Sequence, residues 1–517
     1  MNPIEVNLFS SRVSSICDEM GLVLRRAAFS PNIKDRLDFS CALFGPKGEL
    51  FAQADHMPVH LGSMAFAMSA IVESVDWKKE DVLVFNDPFL GGTHLPDVTL
   101  VSPVFEENGE NIGFVANRAH HANIGCDTPG SMPVSSSLKE EGIVIPPTFL
   151  MRDGKNQTQI NSVFTTPSGG LTGDFAAQAG ANQIGVLGLK ALVGKLGSLK
   201  YIQNMRELNN FAERISLKMI SELSPGTYFF EDCLDDDGYG NQNIKLSVRL
   251  SIDFSAIEVD FSDSADMITG NLNCPDSVAA AAAFYCFRCL MPSYAPVCEG
   301  LFRRIKLKTR RGSIVDATRP AAVAAGNVET SSRLVDIVFG ALAQAAPSRI
   351  AAASQGTMNN ISMGRLYSPT EPRWDYYETI AGGMGGGPNY PGLDGIHTHM
   401  TNTLNTPIES LETHYPLRIK RYELRLDSGG EGDHKGGDGV IREYEFLRKT
   451  TVSLLTERRA SQPWGLHGAG AGRAGINVLN GRALPAKSVI TVKKGDRLTI
   501  NTPGGGGWNY WSKEEEV

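Results

Sequence analysis

The chain has 517 residues, 42% hydrophobic and 21% charged, an ordinary balance for a folded globular protein, and room for roughly two to four domains. A formal net charge of -8, with basic residues clustered only in pairs such as Arg25-Arg26, Arg303-Arg304 and Arg310-Arg311, argues against a nucleic-acid-binding surface. The polar start MNPIEVNLFSSRVSSICDEM is no secretory leader, and no uncharged apolar run of about 18 residues occurs, so no membrane span is expected and the cytoplasm is the expected compartment.

Pro3, followed by Val6, Phe9, Val13, Ile16 and Met20 at helical spacing, predicts a helix over 3–30. The run 38–44, the turn Gly45-Pro46-Lys47-Gly48 and the run 49–53 predict a β-hairpin. HMPVHLGSMAFAMSAIVESV starts as a loop and becomes an apolar helix. The apolar run 82–85 is broken by Pro88, Gly91 and Gly92, and a strand over 112–116 leads into 117–121. Residues 126–175 are irregular, the pattern of a functional loop or lid. Helix is predicted over 177–223, with a break near Gly194 or Gly197 and a stripe of Ile202, Met205, Leu208, Phe211, Ile215 and Met219.

The period then switches to strands at 227–230, 244–250 and 256–261, an antiparallel meander, and back to helices near 277–291 and 331–345. From about 375 the chain carries the runs AGGMGGG, SGGEGDHKGGDG and TPGGGGW, and 417–505 is mostly β by pattern. No fixed-period repeat appears. The fold class expected is α+β: a multi-domain chain of mixed and antiparallel sheets with packed helices and a β-rich, Gly-rich C-terminal part. Its regions divide as 1–175, metal-binding; 176–350, helix and β-meander; and 351–517, Gly-rich β.

Chemistry concentrates in 86–125, which holds His94, Asp97, His120 and His121 out of ten histidines in the whole chain. Two imidazoles and a carboxylate delivered from two strand ends are a donor set for a divalent cation. Asp38 stands where the first strand begins. His56 and His60, in DHMPVHLG, are candidates for a supporting or substrate-facing role. His397 and His399 form an HxH that on a strand would share a face, a possible second metal site. Cys286 and Cys289 form a CxxC inside an Ala-rich helical pattern with no second CxxC to complete a zinc site, so they read as part of a core helix. Gly194-Lys195 is followed by Leu196, so no GxxxxGK[ST] exists, and no GxGxxG sits between a clear strand and helix. The glycine runs therefore read as turns and close backbone packing, or as flat surfaces against a substrate or partner. Neither GxSxG nor HExxH is present.

DFSCALFGPKGEL, HMPVHLGSM, NDPFLGGTHLPDVTLVSPVF, NRAHHANIG, HMTNTLNTPIESLE, SGGEGDHKGGDG and TPGGGGW, in that order and across nearly the whole chain, resemble the hydantoinase B family. That family comprises the B subunits of ATP-dependent N-methylhydantoinases and the matching part of 5-oxoprolinases; caprolactamase and acetone carboxylase subunits look similar over the same core. The resemblance implies one divalent metal, zinc or manganese, held by Asp38, His94, Asp97 and His120. His121 is the weaker candidate ligand, because successive side chains on an extended segment point to opposite faces. The chain departs from the family pattern at Asn123, Gly125 and Cys126.

The resemblance also implies a partner, a hydantoinase A type subunit that binds ATP, forming a hetero-oligomer. The expected reaction is hydrolysis of a hydantoin, 5-oxoproline or lactam ring after the partner phosphorylates the amide oxygen. The metal would lower the pKa of its water from about 15.7 toward 7 and polarise the substrate oxygen. His121, His60 and His56 are the candidates for proton transfer. Two other readings stand beside this one: a subunit of an ATP-dependent ketone carboxylase, and a non-catalytic structural partner.

Overall fold

A computed structural model describes residues 3–54, 57–157, 172–365 and 373–509. Helix α1 (Pro3–Ala27) buries Val6, Phe9, Val13, Ile16, Met20 and Leu24, the stripe its sequence predicts. Glu5 in its first turn and Arg25 and Arg26 in its last suit the helix dipole. A short helix, α2 (Pro31–Lys34), leads to β1 (Phe39–Phe44), which pairs antiparallel with β2 (Leu50–Gln53) as the expected hairpin. Helix α3 (Ser63–Ser74) follows, then β3 (Val82–Phe85), β4 (Asp97–Phe105), β5 (Asn111–His120), β6 (Thr148–Arg152) and β7 (Lys155–Asn156).

These strands form one sheet in the order β2-β1-β5-β4-β3-β6-β7. Alternation along β1 sends Cys41 and Leu43 to one face and Ala42 and Phe44 to the other. The first face is covered by α1 with α4 (Gly173–Leu196) and α5 (Ser198–Ser221); the second is covered by α3 through Met64, Ala67, Met68 and Ile71. The break between α4 and α5 falls at Gly197, whose φ of 79° is a left-handed value that suits glycine. The expected regional boundary at 175/176 lies inside α4, which packs back on the first sheet.

Register decides where the site forms. In the β4–β5 pair Asp97 faces His120, and in the β1–β5 pair Phe39 faces Ala119. The start of β4, the end of β5 and the residue before β1 therefore share one edge of the sheet.

A second sheet runs β11-β10-β9-β8, built from β8 (Gly226–Asp236), β9 (Gln242–Ile252), β10 (Ile257–Asp260) and β11 (Ile305–Lys308). The first three make the expected antiparallel meander, and β11 joins in parallel. Helices α6 (Asp276–Cys289) and α7 (Ser331–Ala345) share its core, where Ala279 to Ala283 are all buried. Cys286 lies in that core and Cys289 is exposed at the helix end.

The C-terminal part holds two more sheets. One is β13-β12-β16-β19, from β12 (Asn360–Arg365), β13 (Trp374–Glu378), β16 (Thr450–Leu455) and β19 (Lys487–Val492). The other is β14-β15-β20-β17-β18, from β14 (Leu417–Arg425), β15 (Gly439–Phe446), β17 (Ile476–Leu479), β18 (Arg482–Leu484) and β20 (Arg497–Asn501). Helix α8 (Ile408–His414) precedes β14. The architecture is α+β with several mixed and antiparallel sheets.

The three glycine runs interlock backbone to backbone. A Cβ on Gly505 would lie 2.0 Å from the Met384 carbonyl oxygen, and one on Gly429 would lie 1.8 Å from that of Gly436. Close packing, not a phosphate cradle, explains the composition there. Among the described residues no helix is long and apolar enough to cross a membrane.

Candidate metal centre

Asp38, His60, His94, Asp97 and His120 line one cavity, with Asn327, Tyr377, Thr379, Thr401 and Thr403 closing it. His94 reaches it from the loop before β4, in a turn closed by Asp97 N donating to His94 O. Asp97 opens β4 and His120 closes β5, so the antiparallel pair delivers both to one point.

His94 Nε2 lies 3.2 Å and His120 Nδ1 3.4 Å from Asp97 Oδ1. The ligand-capable atoms of these three residues all fall within 4.8 Å of one another. Tetrahedral coordination at about 2.1 Å would place neighbouring donors about 3.4 Å apart, so these spacings are those of a cation's donor shell. His120 Nδ1 is also 3.9 Å from Asp38 Oδ2.

The orientation of each group suits a cation better than a hydrogen-bonded cluster. His94 Nδ1 donates to the Ala324 carbonyl at 3.1 Å, which leaves the lone pair on Nε2. That Nε2 is buried and makes no hydrogen bond, despite its nearness to Asp97. Asp97 divides its two oxygens: Oδ2 accepts from the Thr93 hydroxyl, from Asn327 Nδ2 at 3.3 Å and from His60 Nε2 at 3.4 Å. Oδ1 is left facing the two imidazoles. His60 is fixed in turn by Ser40 Oγ, 2.9 Å from its Nδ1. His120 stacks on Tyr377 with ring centroids 4.9 Å apart. Two neutral imidazoles and two carboxylates would balance a divalent charge, and these residues fit such an ion.

Burial by itself would push the Asp97 carboxyl up; the nearness of His94 above all, and then of His120 and His60, outweighs it and holds it well below the usual carboxylate range. Burial opposes protonation of His94, but the Asp97 carboxylate beside it raises its pKa. The site thus keeps Asp97 ionised at neutral pH.

His121 points the other way. Its Nε2 is 2.8 Å from Gln178 Oε1 on α4, its ring lies against Phe175, and burial lowers its pKa. The pleat that brings His120 to the cavity turns its neighbour away. His56 lies outside the described residues. His397 and His399 sit in an irregular segment rather than on a strand, with His399 at a φ of 59°, so they share no strand face.

The groups that sequence spacing did not reveal are Asn327, the Ala324 carbonyl and Glu141. Glu141 Oε1 accepts from the backbone N–H groups of Val323 and Ala324 at 2.8 and 2.9 Å, which fixes the carbonyl that orients His94. Thr93 adjoins His94 in GGTHLPD and was within reach of a motif reading; the others lie far away in sequence.

Burial pushes the Glu141 carboxyl up from 4.5 to about 7, against the hydrogen bonds it accepts. Between those values the folded state keeps a proton that the unfolded chain has released, so stability falls as pH rises through this window. Glu141→Gln keeps the acceptor and removes the charge. In metal-free protein it is expected to flatten part of that decline, while Glu329, also pushed to about 7, and Asp336, pushed to about 6, still contribute to it. Melting temperatures of both proteins from about pH 5 to pH 8 check this; identical slopes would refute it.

A sequence model described as hydantoinase B/oxoprolinase matches residues 2–509. An uncharacterised protein of Methanocaldococcus jannaschii is 38% identical over 524 residues, covering 98% of this chain and 91% of that protein. The 5-oxoprolinase of Dictyostelium discoideum is 39% identical over 523 residues, covering 98% of this chain. The chain spans only 40% of the length of that curated relative. The crystal structure of the ATP-dependent caprolactamase from Pseudomonas jessenii matches with a TM-score of 0.90 at 25% identity, over 99% of this chain and 91% of that one.

Proposed function

The chain belongs to the hydantoinase B/oxoprolinase family, and on that premise we propose that it is the metal-dependent chain of an ATP-dependent cyclic amide hydrolase. The observation that carries the reading is the convergence of His94, Asp97 and His120, whose ligand-capable atoms all lie within 4.8 Å of one another. Asp38, His94, Asp97 and His120 hold a divalent zinc or manganese ion. When bound, such an ion supplies Lewis acidity toward the amide oxygen and a lower pKa for water.

The protein's own groups do the rest. His60, Thr93 and Asn327 pin one oxygen of Asp97, so the other keeps its direction. Ala324 and Glu141 hold His94 in the tautomer that presents Nε2. His60 lines the cavity, and proton transfer at the site falls to it. His121 braces β5 against α4 through Gln178.

ATP is handled by a separate hydantoinase A type partner in a hetero-oligomer. Three observations support this division: the relative that carries the 5-oxoprolinase name is more than twice as long, the structurally similar caprolactamase is ATP-dependent, and this sequence has no GxxxxGK[ST]. The partner's phosphorylation of a cyclic amide makes it a better electrophile before water attacks.

The test is elemental analysis beside coupled turnover. Wild type is expected to carry about one divalent ion per chain, and His94→Ala to lose most of it. With the partner chain and ATP, wild type is expected to open a hydantoin, 5-oxoproline or lactam ring. Equal metal in wild type and His94→Ala would remove the basis of this reading.

A further inference from the structure

A metal-ligating histidine usually has its other ring nitrogen held by an acceptor, which fixes the plane of the ring. His94 follows that rule, through Nδ1 and the Ala324 carbonyl at 3.1 Å. His120 does not. Its Nδ1 is the nitrogen 3.4 Å from Asp97 Oδ1, and its Nε2 is buried with no hydrogen-bond partner among the described residues. What holds the ring is a flat stack on Tyr377, with centroids 4.9 Å apart and planes 12° from parallel. The plane of His120 therefore depends on whatever fixes Tyr377.

Tyr377 is fixed at both ends. The Arg36 guanidinium lies 4.8 Å from its ring centroid and donates to its carbonyl at 2.9 Å. At the tip, the Tyr377 hydroxyl donates to Asn360 Oδ1 at 2.8 Å. Tyr377 on β13 pairs with Ser362 on β12, so Asn360, two residues before Ser362, shares that face and lies diagonal to the tyrosine. Asn360 is held in turn. Its Nδ2 donates to Glu329 Oε1 at 2.5 Å and to the Leu455 carbonyl at 2.8 Å. Glu329 Oε1 also accepts from Met358 N at 3.1 Å, and Met358 lines the metal cavity.

We infer that Glu329 is a positioning residue for the metal centre, fixing the ring of His120 through Asn360 and Tyr377. The inference rests on the metal reading above and deepens it. Glu329 is fully buried in a π-helical turn (Gly326–Thr330), a rare conformation that recurs at functional sites. The stretch 324–329 then supports all three converging residues. The Ala324 carbonyl orients His94, Asn327 Nδ2 donates to Asp97 Oδ2 at 3.3 Å, and Glu329 anchors the chain of contacts behind His120. A carboxylate suits that anchor, because one of its oxygens can accept from two donors at once, here Met358 N and Asn360 Nδ2.

Metal affinity tests this without ATP, partner or turnover. Zn²⁺ affinity is measured by competition with a chromophoric chelator, and Co²⁺ in place of Zn²⁺ gives a visible spectrum that reports the geometry of the donors. Glu329→Met removes the acceptor and is expected to weaken Zn²⁺ binding about 10–100-fold, the usual cost of losing a group that supports a ligand, and to change the Co²⁺ spectrum. Glu329→Gln keeps an acceptor oxygen for both donors and should bind like wild type. Tyr377→Phe keeps the stacked ring but cuts the chain at the hydroxyl, and should weaken binding about 10-fold. The double variant Glu329→Met, Tyr377→Phe should lose less than the two single losses combined, because both cut one path. Leu250→Ala, in the core of the second sheet and outside the cavity wall, controls for mere destabilisation and should keep wild-type affinity. Where Glu329→Met fails to fold, Tyr377→Phe alone carries the test.

Wild-type affinity in Glu329→Met or Tyr377→Phe, an equal loss in Leu250→Ala, or no recovery in Glu329→Gln would overturn the inference. A wild-type chain that binds no divalent ion removes the metal reading and this inference with it. A wild type that binds the ion, with variants that match it, rejects the positioning role alone.

Discussion

Asp97→Asn is expected to lower coupled ring opening by at least about 100-fold while changing the melting temperature little when metal is in excess. Loss of a group that merely supports a ligand costs 10–100-fold in affinity or activity, and loss of a ligand's charge costs more. The structure makes this substitution harsher than its shape suggests. Thr93, His60 and Asn327 all donate to Oδ2. An asparagine will therefore turn its carbonyl oxygen toward those donors. Its NH₂ then takes the place of Oδ1 and faces His94 and His120, where it repels a cation instead of binding one. The core around it is untouched, because volume and the three donor bonds are kept. ADP release by the partner is expected to persist, uncoupled from product, since phosphorylation precedes attack by water. Parallel measurement of ADP and ring-opened product decides it. Full coupled turnover by Asp97→Asn would leave only a structural role for the site.

The second large effect is on stability. Arg442 on β15 is fully buried and forms an ion pair with Glu378 at 3.0 Å. Its guanidinium nitrogens make no hydrogen bond, and it lies over the rings of Tyr422 and Tyr444 at 4.5 and 5.4 Å. Glu378 also accepts from the Tyr444 hydroxyl and from Asn405 Nδ2, both at 2.9 Å. Arg442→Met removes the cation and leaves the carboxylate buried without one. The expected loss is about 3–5 kcal/mol, a fall in melting temperature on the order of 10 °C. Glu378→Gln added to it should restore most of the loss, because the neutral amide keeps the same acceptor. A single variant that melts within a degree or two of wild type would show that the pair contributes little. The effect reaches the metal centre, since Glu378 is followed by Thr379 on the cavity wall and preceded by Tyr377, on which His120 stacks.

Local pattern was enough for much of this molecule. The stripe on α1, the hairpin of β1 and β2, the break at Gly197 and the β8–β10 meander all follow from periodicity and turn chemistry, which act over a few residues. The meeting of His94, Asp97 and His120 was nearly as legible. Three of its determinants, the loop, the start of β4 and the end of β5, lie within one antiparallel pair whose register is short-range. Alternation on an extended strand likewise turns His121 away from the cavity that His120 lines.

Other features had no local signature. Asn327 and the Ala324 carbonyl reach the site from 230 residues away. A backbone carbonyl leaves no mark in a sequence, and one asparagine among many gives no spacing to read. His397 and His399 have the spacing of a strand pair, yet Gly395 and His399 adopt positive φ and the segment is not a strand. The glycine runs announced tight backbone, but not that three of them would stack on one another. Composition and periodicity determined which elements form and which side chains carry charge and lone pairs. Tertiary packing alone decided which distant backbone groups would orient them, because that depends on contacts between segments whose separation no local interaction encodes.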